Sequence, residues 1–399
     1  MDVDARTQLP IDLNPVGKDV RRKNEFQPSN IFPFKTWQSL PSFSTALLNI
    51  SLSVGTLIVS AAGLAVTLAV ILPLGILKSV GGRIFAGKQA AVRDNSGGGI
   101  SRRRCVVIHG ASSGIGAALA LEYAAADTHL VLIARDHERL NEVATRAQAR
   151  GATTATHSLD FFEPASTTKL HHLLREIDAK ADGIDVAIQC TGVTIHRSDR
   201  DGDGQADVWG TTAASRMLQV NVAACQEFIL GSWELMKARR QQQQRASSQL
   251  QGSKGDQDHA HVTPGPKIIV LSSSTAFFTP ANFALYAASK AYLYTLARSL
   301  QVASAPYGIG VVTVTPGFIE SGMTLTAIQA GATTPLAVLG DPRKLARKIK
   351  RGEERNELVV FYPLSQVCAL WSARALNPLL ETVGMWAGSA MGVAGWFFS

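Results

Sequence analysis

Short apolar runs alternate with stretches of helical periodicity through the middle of the chain. The runs CVVIH, HLVLIAR and IDVAIQC have the length and the β-branched content of buried strands. Between them lie segments whose apolar residues recur with the spacing of a helix. Strands that alternate with helices pair in parallel through right-handed crossovers. The pattern over residues 104–355 therefore predicts one α/β domain with a doubly wound parallel sheet.

Two polar insertions interrupt this alternation. Residues 241–266, QQQQRASSQLQGSKGDQDHAHVTPGP, are low in complexity and predict a disordered loop before the strand KIIVLSS. Residues 199–207, DRDGDGQAD, begin like a calcium loop, but Gly210 stands where the bidentate glutamate would be. We favour a solvated acidic loop, leave calcium binding there open, and predict no metal site.

A long apolar run precedes the domain. No residue from Leu47 to Leu77 is ionisable, and about 20 apolar residues suffice for a helix to cross the hydrocarbon core. The run predicts a transmembrane segment over residues 45–77, after a flexible polar tail (1–44) and before a basic linker (78–103). A hairpin that enters and leaves one leaflet is the alternative.

The C-terminal stretch is again apolar. The sequence beyond Glu381, TVGMWAGSAMGVAGWFFS, is uncharged, and Gly384, Gly388 and Gly392 have the spacing of closely packed membrane helices. We expect residues 356–399 to form a hydrophobic, membrane-associated segment. The pattern leaves open whether this segment spans the bilayer.

The charged residues are unevenly distributed along the chain. The chain has 39 Lys and Arg against 31 Asp and Glu, a net charge of +8, and much of the excess lies between Lys78 and Arg104. Basic residues on this flank predict that the main domain faces the cytosol. The expected membrane is that of the endoplasmic reticulum or of a lipid droplet. The absence of interleaved aromatic residues argues against a nucleic-acid partner. Four widely spaced cysteines argue against a disulfide framework or structural zinc site.

The first candidate chemistry follows the first strand. Gly110-Ala-Ser-Ser-Gly114-Ile-Gly116 is a glycine-rich turn that opens a helix, an arrangement that presents free N–H groups to a pyrophosphate. At the end of the second strand, Arg135 suits a 2′-phosphate, whereas an acid there suits ribose hydroxyls. Because Ala134 and Arg135 come before Asp136 at this position, the sequence favours NADP(H) over NAD(H). Asp136 either weakens that preference or caps the next helix.

A second group of candidates lies further along the chain. Tyr286 and Lys290 are four residues apart on a predicted helix, so both side chains lie on one face. A nearby cation favours the phenolate form of a tyrosine, which can then give a proton to a carbonyl and recover it. Ser273, at the end of KIIVLSS, supplies a hydroxyl for the same carbonyl oxygen.

Together these elements resemble the short-chain dehydrogenase/reductase family over roughly residues 104–355. The resemblance implies a Rossmann-type fold and hydride transfer between a nicotinamide cofactor and a CH–OH/C=O group. It implies these catalytic residues: Ser273, Tyr286, Lys290 and Asn221, the last supporting a proton relay through water. It implies these cofactor-binding residues: Gly110, Ser112, Ser113, Gly114, Ile115, Gly116, Arg135, Asp160 (at the adenine), Gly192, Tyr286, Lys290, Pro316, Gly317, Ile319 and Ser321.

Two departures from the family pattern stand out. His109 begins the turn where the family usually has Thr, and Gln189-Cys190-Thr191-Gly192 replaces the usual Asn-Asn-Ala-Gly. We expect altered local packing more than lost activity. We interpret Cys190 as a small core residue rather than a reactive thiol.

An anchored member of this family is expected to act on a substrate that partitions into lipid. The prediction is an NADPH-dependent reductase of a lipophilic ketone or aldehyde, such as a steroid, retinoid or long-chain lipid. Ketodihydrosphingosine reductase of sphingolipid synthesis is one alternative, and a non-catalytic NADPH-binding membrane scaffold is another. Membrane lipid is the expected partner, and a homo-oligomer stays open.

Overall fold

The computed structural model describes residues 102–194, 210–251, 265–277, 284–329 and 339–367, together with Ser51, Gly55, Ile58 and Ala69. The predicted tail, the acidic insertion, most of the predicted transmembrane segment and residues 368–399 lie outside these residues. Within the described part, no helix is both long and apolar enough to cross a membrane.

Seven strands and eight α-helices make up the described domain. The strands are β1 (Arg104–His109), β2 (Thr128–Ala134), β3 (Thr153–Ser158), β4 (Val186–Gln189), β5 (Lys267–Leu271), β6 (Gly310–Pro316) and β7 (Val359–Tyr362). The helices are α1 (Gly114–Tyr123), α2 (His137–Gln148), α3 (Ala165–Lys180), α4 (Thr211–Leu218), α5 (Cys225–Gln251), α6 (Ala284–Ser304), α7 (Gly322–Gln329) and α8 (Pro342–Glu354). A π-helical turn (Gln219–Ala224) joins α4 to α5, and 3₁₀ turns (Ser274–Ala276 and Ala305–Tyr307) flank α6.

The sheet is parallel throughout, with the order β3-β2-β1-β4-β5-β6-β7. The chain first builds outward from β1 to β3 and then crosses back to place β4 on the other side of β1. At the carboxyl end of β1, His109 lies between Ile133 of β2 and Gln189 of β4. This reversal is the topological switch point at which α/β sheets bind ligands. The prediction of a doubly wound, Rossmann-type α/β domain is confirmed.

Apolar side chains cover both faces of the sheet because successive strand residues point to opposite sides. Val106 and Ile108 belong to a buried cluster with the apolar residues of α1, α2 and α8. Cys105 and Val107 belong to a second cluster with those of α3, α5 and α6. Burial on both faces explains why the strands are nearly continuous apolar runs. The two helical layers thus enclose the sheet, whose strand ends meet at the switch point.

The structure corrects two of the predicted boundaries. Helix α5 continues to Gln251, although we expected residues 241–266 to be a disordered loop. The extension is favoured because a helix that has already nucleated propagates easily through Gln, Ala and Arg, and hydroxyls of two serines bond back to carbonyls one turn earlier. Strand β7 lies beyond residue 355, the predicted end of the domain. Its run VVFY was assigned to the hydrophobic C-terminal segment, yet it pairs with β6 and completes the sheet.

Candidate active site

A cavity of about 360 Å³ lies at the carboxyl ends of the strands. Its walls come from the segments that follow β1 to β6, which is the arrangement expected at a topological switch point. Polar groups therefore converge here from distant parts of the sequence.

The glycine-rich turn forms one wall of the cavity. Gly110 has φ +94° and Gly114 has φ +53°, conformations that side chains with a Cβ rarely adopt. A Cβ on Gly116 would lie 1.9 Å from the carbonyl oxygen of Gly110, so this position needs glycine for the close approach of α1 to β1. Among the described residues, no side chain caps the N-terminus of α1, and its first turn contains no acid. The turn therefore fits the pyrophosphate of a dinucleotide cofactor.

Two arginines line the cavity where β2 ends. Arg135 and Arg139 are both exposed, and Arg139 was not identified from the sequence. Asp136 caps α2 by accepting from the Arg139 backbone N–H at 3.1 Å, and its carboxylate also pairs with the Arg139 guanidinium at 3.3 Å. Of the two interpretations of Asp136, the structure shows the helix cap. The basic character of this wall suits a phosphate group.

Asp160 and the residue pair that follows it form the adjoining wall. The Asp160 carboxylate accepts from the Phe162 backbone N–H at 3.1 Å, which fixes the turn after β3. The Phe162 ring has the Arg135 guanidinium carbon 5.2 Å from its centroid and that of Arg216 at 4.7 Å. Of these groups, Phe162 and Arg135 line the cavity, where they can contact a planar ring such as adenine.

Ser273 follows β5 and is 8% exposed. Its hydroxyl oxygen accepts from the Thr275 backbone N–H at 3.2 Å, where it caps a 3₁₀ turn. Because the oxygen is used as an acceptor, the hydroxyl hydrogen can point to another group. Ser273 can therefore donate a hydrogen bond into the cavity.

Tyr286 and Lys290 lie one turn apart on α6, as their spacing predicts. The Lys290 ammonium is 5.7 Å from the centroid of the half-buried Tyr286 ring. Lys290 itself is 4% exposed, and its ammonium donates to the Leu271 carbonyl at 3.2 Å. The Ser272 hydroxyl donates to the Lys290 carbonyl at 2.6 Å, which ties α6 to the end of β5. A buried cation is thus held at a fixed place beside the tyrosine.

Asn221 lies behind the cavity wall in the π-helical turn and is fully buried. Its side-chain oxygen accepts from the Val193 N–H at 2.7 Å, and its amide donates to the Val193 carbonyl at 2.8 Å. The same amide donates to the Ser289 hydroxyl at 3.1 Å. Asn221 thereby joins the segment after β4 to α6, three residues from Tyr286.

His109 occupies a closed aromatic pocket. Its ring is 4.4 Å from Phe161 in an edge contact and 4.9 Å from Phe228 in a stacked one. Neither ring nitrogen has a hydrogen-bond partner among the described residues. Burial, reinforced by the nearby Lys290 cation, lowers the pKa of His109 from 6.5 to about 3. The imidazole is therefore neutral and packs like an aromatic core residue.

The unusual segment after β4 is held by Gln189. Its amide donates to the Thr191 carbonyl at 2.8 Å and to the Cys225 sulfur at 3.0 Å, and its oxygen accepts from the Leu271 N–H at 3.2 Å. Burial raises the pKa of the Cys190 thiol to about 12, although the Lys290 cation acts in the opposite direction. A thiol that stays protonated is a poor nucleophile, which agrees with a packing role.

The segment after β6 closes the cavity. The Gly317 N–H donates to the Tyr362 carbonyl at 2.8 Å, and the Phe318 N–H donates to the Gln366 side chain at 2.9 Å. Ser321 pairs with the Thr324 hydroxyl at 3.1 Å at the start of α7. Contacts to and beyond β7 therefore position this wall.

The structure brings the candidate residues together. Every predicted cofactor-binding residue lines the cavity, as do Ser273, Tyr286 and Lys290, while Asn221 lies behind the wall. Further lining residues were not identified from the sequence, among them Arg139, Phe161, Phe162, Met323 and Thr324. Arg139 could have been found from its position one helical turn after Arg135, but the others carry no local signal.

Comparison with known proteins agrees with this geometry. The family profile described as short chain dehydrogenase matches residues 104–244 and 261–330, more than half of the chain. The chain is 29% identical over 269 residues to 11-beta-hydroxysteroid dehydrogenase A of Sesamum indicum. The matched region covers 63% of this chain and 66% of the Sesamum protein, which is just under two thirds of that protein's length. This chain is 26% identical over 267 residues to dehydrogenase/reductase SDR family member 7B of Xenopus laevis, covering 64% and 73%.

Solved structures share the fold. A short-chain dehydrogenase from Sphingobium yanoikuyae in complex with NADPH has a TM-score of 0.50 and 23% identity, covering 73% of this chain and 95% of that one. The bulky-bulky ketone specific alcohol dehydrogenase from Comamonas testosteroni has a TM-score of 0.51 and 23% identity, covering 69% and 93%. At this identity the likeness shows the fold alone. On its profile match, this chain belongs to the short-chain dehydrogenase/reductase family and is an NAD(P)-dependent oxidoreductase.

Proposed function

We propose that this protein is an NADPH-dependent reductase of a lipophilic ketone or aldehyde at a membrane surface. The observation that carries the proposal is one cavity in which the glycine-rich turn, the two arginines and the Ser273–Tyr286–Lys290 group meet. A dinucleotide site and a proton donor are thereby combined in the same space.

The residues present fit the cofactor that the family uses. The turn at Gly110–Gly116 would hold the pyrophosphate, and Asp160 and Phe162 would flank the adenine. Gly192 and the segment from Pro316 to Ser321 would enclose the nicotinamide end. When bound, the nicotinamide supplies the hydride, and the protein supplies position and electrostatics.

Tyr286 is the proposed proton donor to the carbonyl oxygen. Tyr286 lines the same cavity as Ser273, whose hydroxyl hydrogen is free to donate. Lys290 favours the phenolate that remains after the transfer because its cation is buried beside the ring. Asn221 holds α6 through Ser289 and is also the proposed link to solvent protons.

The preference for NADPH over NADH is supported by the wall beyond β2. Arg135 and Arg139 offer guanidinium groups to a 2′-phosphate, whereas Asp136 is engaged as the cap of α2. A carboxylate that already accepts from a backbone N–H and pairs with a guanidinium is a weaker acceptor for ribose hydroxyls. The NADPH named with the Sphingobium yanoikuyae structure is consistent with this preference.

The lipophilic substrate is inferred from the sequence context and from relatives. The uncharged run from Leu47 to Leu77 is long enough to anchor the protein, and a steroid dehydrogenase and a bulky-ketone dehydrogenase are among its relatives by name. We place the catalytic domain in the cytosol, on endoplasmic-reticulum or lipid-droplet membrane. Protease added to sealed microsomes should then digest the domain from outside.

An assay of NADPH oxidation by the full chain in lipid vesicles tests the proposed function. The carbonyl panel should contain a steroid ketone, a retinal, a long-chain ketone including ketodihydrosphingosine, and a short water-soluble ketone. We expect turnover of at least one lipophilic member with higher kcat/KM than the short ketone. Tight NADPH binding without turnover of any member would instead identify a non-catalytic scaffold.

A further inference from the structure

Helix α8 has two very different sides. Leu345, Ala346 and Ile349 are fully buried against the sheet, and Gly352 is buried with them. The opposite side carries exposed basic residues on successive turns: Arg343, Lys344, Arg347, Arg351 and, just beyond the helix, Arg355. We call this set the α8 basic face. At 1.5 Å per residue it is about 20 Å long.

The basic face is not neutralised by its surroundings. Arg343 and Arg355 have weak carboxylate contacts at 3.5 and 3.9 Å. Lys344, Arg347 and Arg351 have no ion pair with a carboxylate in the described part of the chain. The acids nearest to them in sequence are Asp341, three residues before Lys344, and Glu353 and Glu354, which follow Arg351. By contrast, the basic residues that serve the fold point inward, because Lys348 donates to the Phe361 carbonyl and Lys350 to the Glu122 carbonyl. Among the described residues, the outward charges of Lys344, Arg347 and Arg351 are therefore not used in ion pairs within the domain.

The two ends of α8 lie beside functionally distinct places. At its C-terminal end, Glu353 pairs with Arg104 at 2.9 Å, which puts this end next to the point where the chain enters the domain. Sequence just before that point is basic and follows the long uncharged run. At its N-terminal end, Gly340 bridges Ile319 of the cavity wall. The face thus runs from the start of the domain to the rim of the cavity.

We propose that the α8 basic face docks the catalytic domain onto an anionic phospholipid surface. A basic face on an amphipathic helix is attracted to anionic headgroups, and each Lys or Arg near such a surface contributes about a fivefold gain in binding. Exposed apolar side chains lie near both ends of the helix. Phe318, whose carbonyl accepts from the Gly340 N–H at 2.8 Å, is 38% exposed, and Leu358, shortly after the helix in sequence, is 58% exposed. The choice of lipid rather than another polyanion rests on the proposed membrane association. Docking along this face brings the cavity rim towards the bilayer.

Energy transfer in nanodiscs tests this docking. The full chain carries a donor dye at Glu354→Cys, with Cys368→Ser to remove a competing thiol, in discs with an acceptor on the lipid headgroup. The discs contain either phosphatidylcholine alone or phosphatidylcholine with about 30% phosphatidylserine. We expect stronger transfer in the anionic discs, and expect high salt to reduce it to the neutral-disc level.

Two triple variants with equal loss of charge separate the face from net charge. Lys344→Gln/Arg347→Gln/Arg351→Gln should reduce energy transfer in anionic discs to the level in neutral discs. The reason is that loss of three cations lowers the equilibrium constant for docking about a hundredfold. Arg146→Gln/Lys169→Gln/Arg175→Gln removes three exposed cations from α2 and α3 and should leave transfer unchanged. Circular dichroism melts confirm that both variants fold.

The outcomes that overturn the inference are distinct from a failure of the proposed function. Equal transfer in both disc types, or equal effects of the two triple variants, rejects docking through α8 while NADPH-dependent turnover still stands. A full chain that enters neither disc type rejects the membrane association and the docking together. If energy transfer does not depend on the lipid and the α8 variant loses heparin binding, the α8 basic face instead binds another polyanion.

Discussion

Replacing Gly116 by alanine should damage the cofactor site more than any other single methyl group added to the turn. The new Cβ would lie 1.9 Å from the Gly110 carbonyl oxygen, more than 1 Å inside the 3.0 Å limit that real Cβ contacts respect. The atom that the new Cβ meets belongs to the backbone, so α1 must move away from β1. Overpacking of this kind costs about 1–3 kcal/mol.

Gly322→Ala is the matched control because Gly322 also borders the cavity and begins a helix, yet its added Cβ has no atom within 4 Å. In thermal unfolding, Gly116→Ala should lower Tm by about 2–12 °C, whereas Gly322→Ala should leave Tm unchanged or raise it slightly. Titration with NADPH should show weaker binding to Gly116→Ala, because the displaced helix no longer presents its N–H groups. An unchanged Tm and an unchanged NADPH affinity for Gly116→Ala would refute the close approach of α1 to β1.

Three further predictions concern Arg135, His109 and Cys190. Arg135→Asp should shift the NADPH/NADH ratio of kcat/KM towards NADH by about tenfold or more, and an unchanged ratio would assign the 2′-phosphate elsewhere. Because the pKa of folded His109 is about 3 against 6.5 unfolded, its contribution to stability is present above pH 6.5 and is lost as the pH falls towards 3. In His109→Phe, the midpoint of urea unfolding should therefore change less with pH over this range than in the unsubstituted protein. The same pH dependence in both proteins would contradict the closed pocket. Because burial raises the pKa of the Cys190 thiol to about 12, Cys190 should react with iodoacetamide much more slowly at pH 8 than an unfolded thiol; a comparable rate would show an accessible thiolate.

Local patterns were enough to predict the features that depend on neighbouring residues. The alternation of apolar runs and helical segments gave the parallel sheet, because strands buried on both faces must be apolar throughout. The turn from Gly110 to Gly116 and the one-turn spacing of Tyr286 and Lys290 are likewise local. Their meeting in one cavity follows from a sheet whose strands all end at the same edge.

The features that were missed depend on contacts between distant residues or on propagation. The polar glutamine run at residues 241–244 has no apolar periodicity, yet the helix extends through it from a packed N-terminal part. The run VVFY is short and apolar whether it lies in a sheet or in a membrane segment, and pairing with β6 decides between them. Phe161 and Phe228 are far apart in sequence, so their enclosure of His109 has no local signature.

We propose that Tyr286 delivers the proton during carbonyl reduction, and a substitution that separates cofactor binding from turnover gives the sharpest test. Tyr286→Phe keeps the ring beside Lys290 but removes the transferable proton. Tyr292→Phe on the same helix is the control. The Tyr292 hydroxyl donates to the Gln226 side chain, and Tyr292 is not among the residues that line the cavity. Single-turnover oxidation of bound NADPH should slow by about 10²–10⁴-fold in Tyr286→Phe, with NADPH affinity unchanged, and should be unaffected in Tyr292→Phe. Retention of most of the single-turnover rate by Tyr286→Phe would contradict the account.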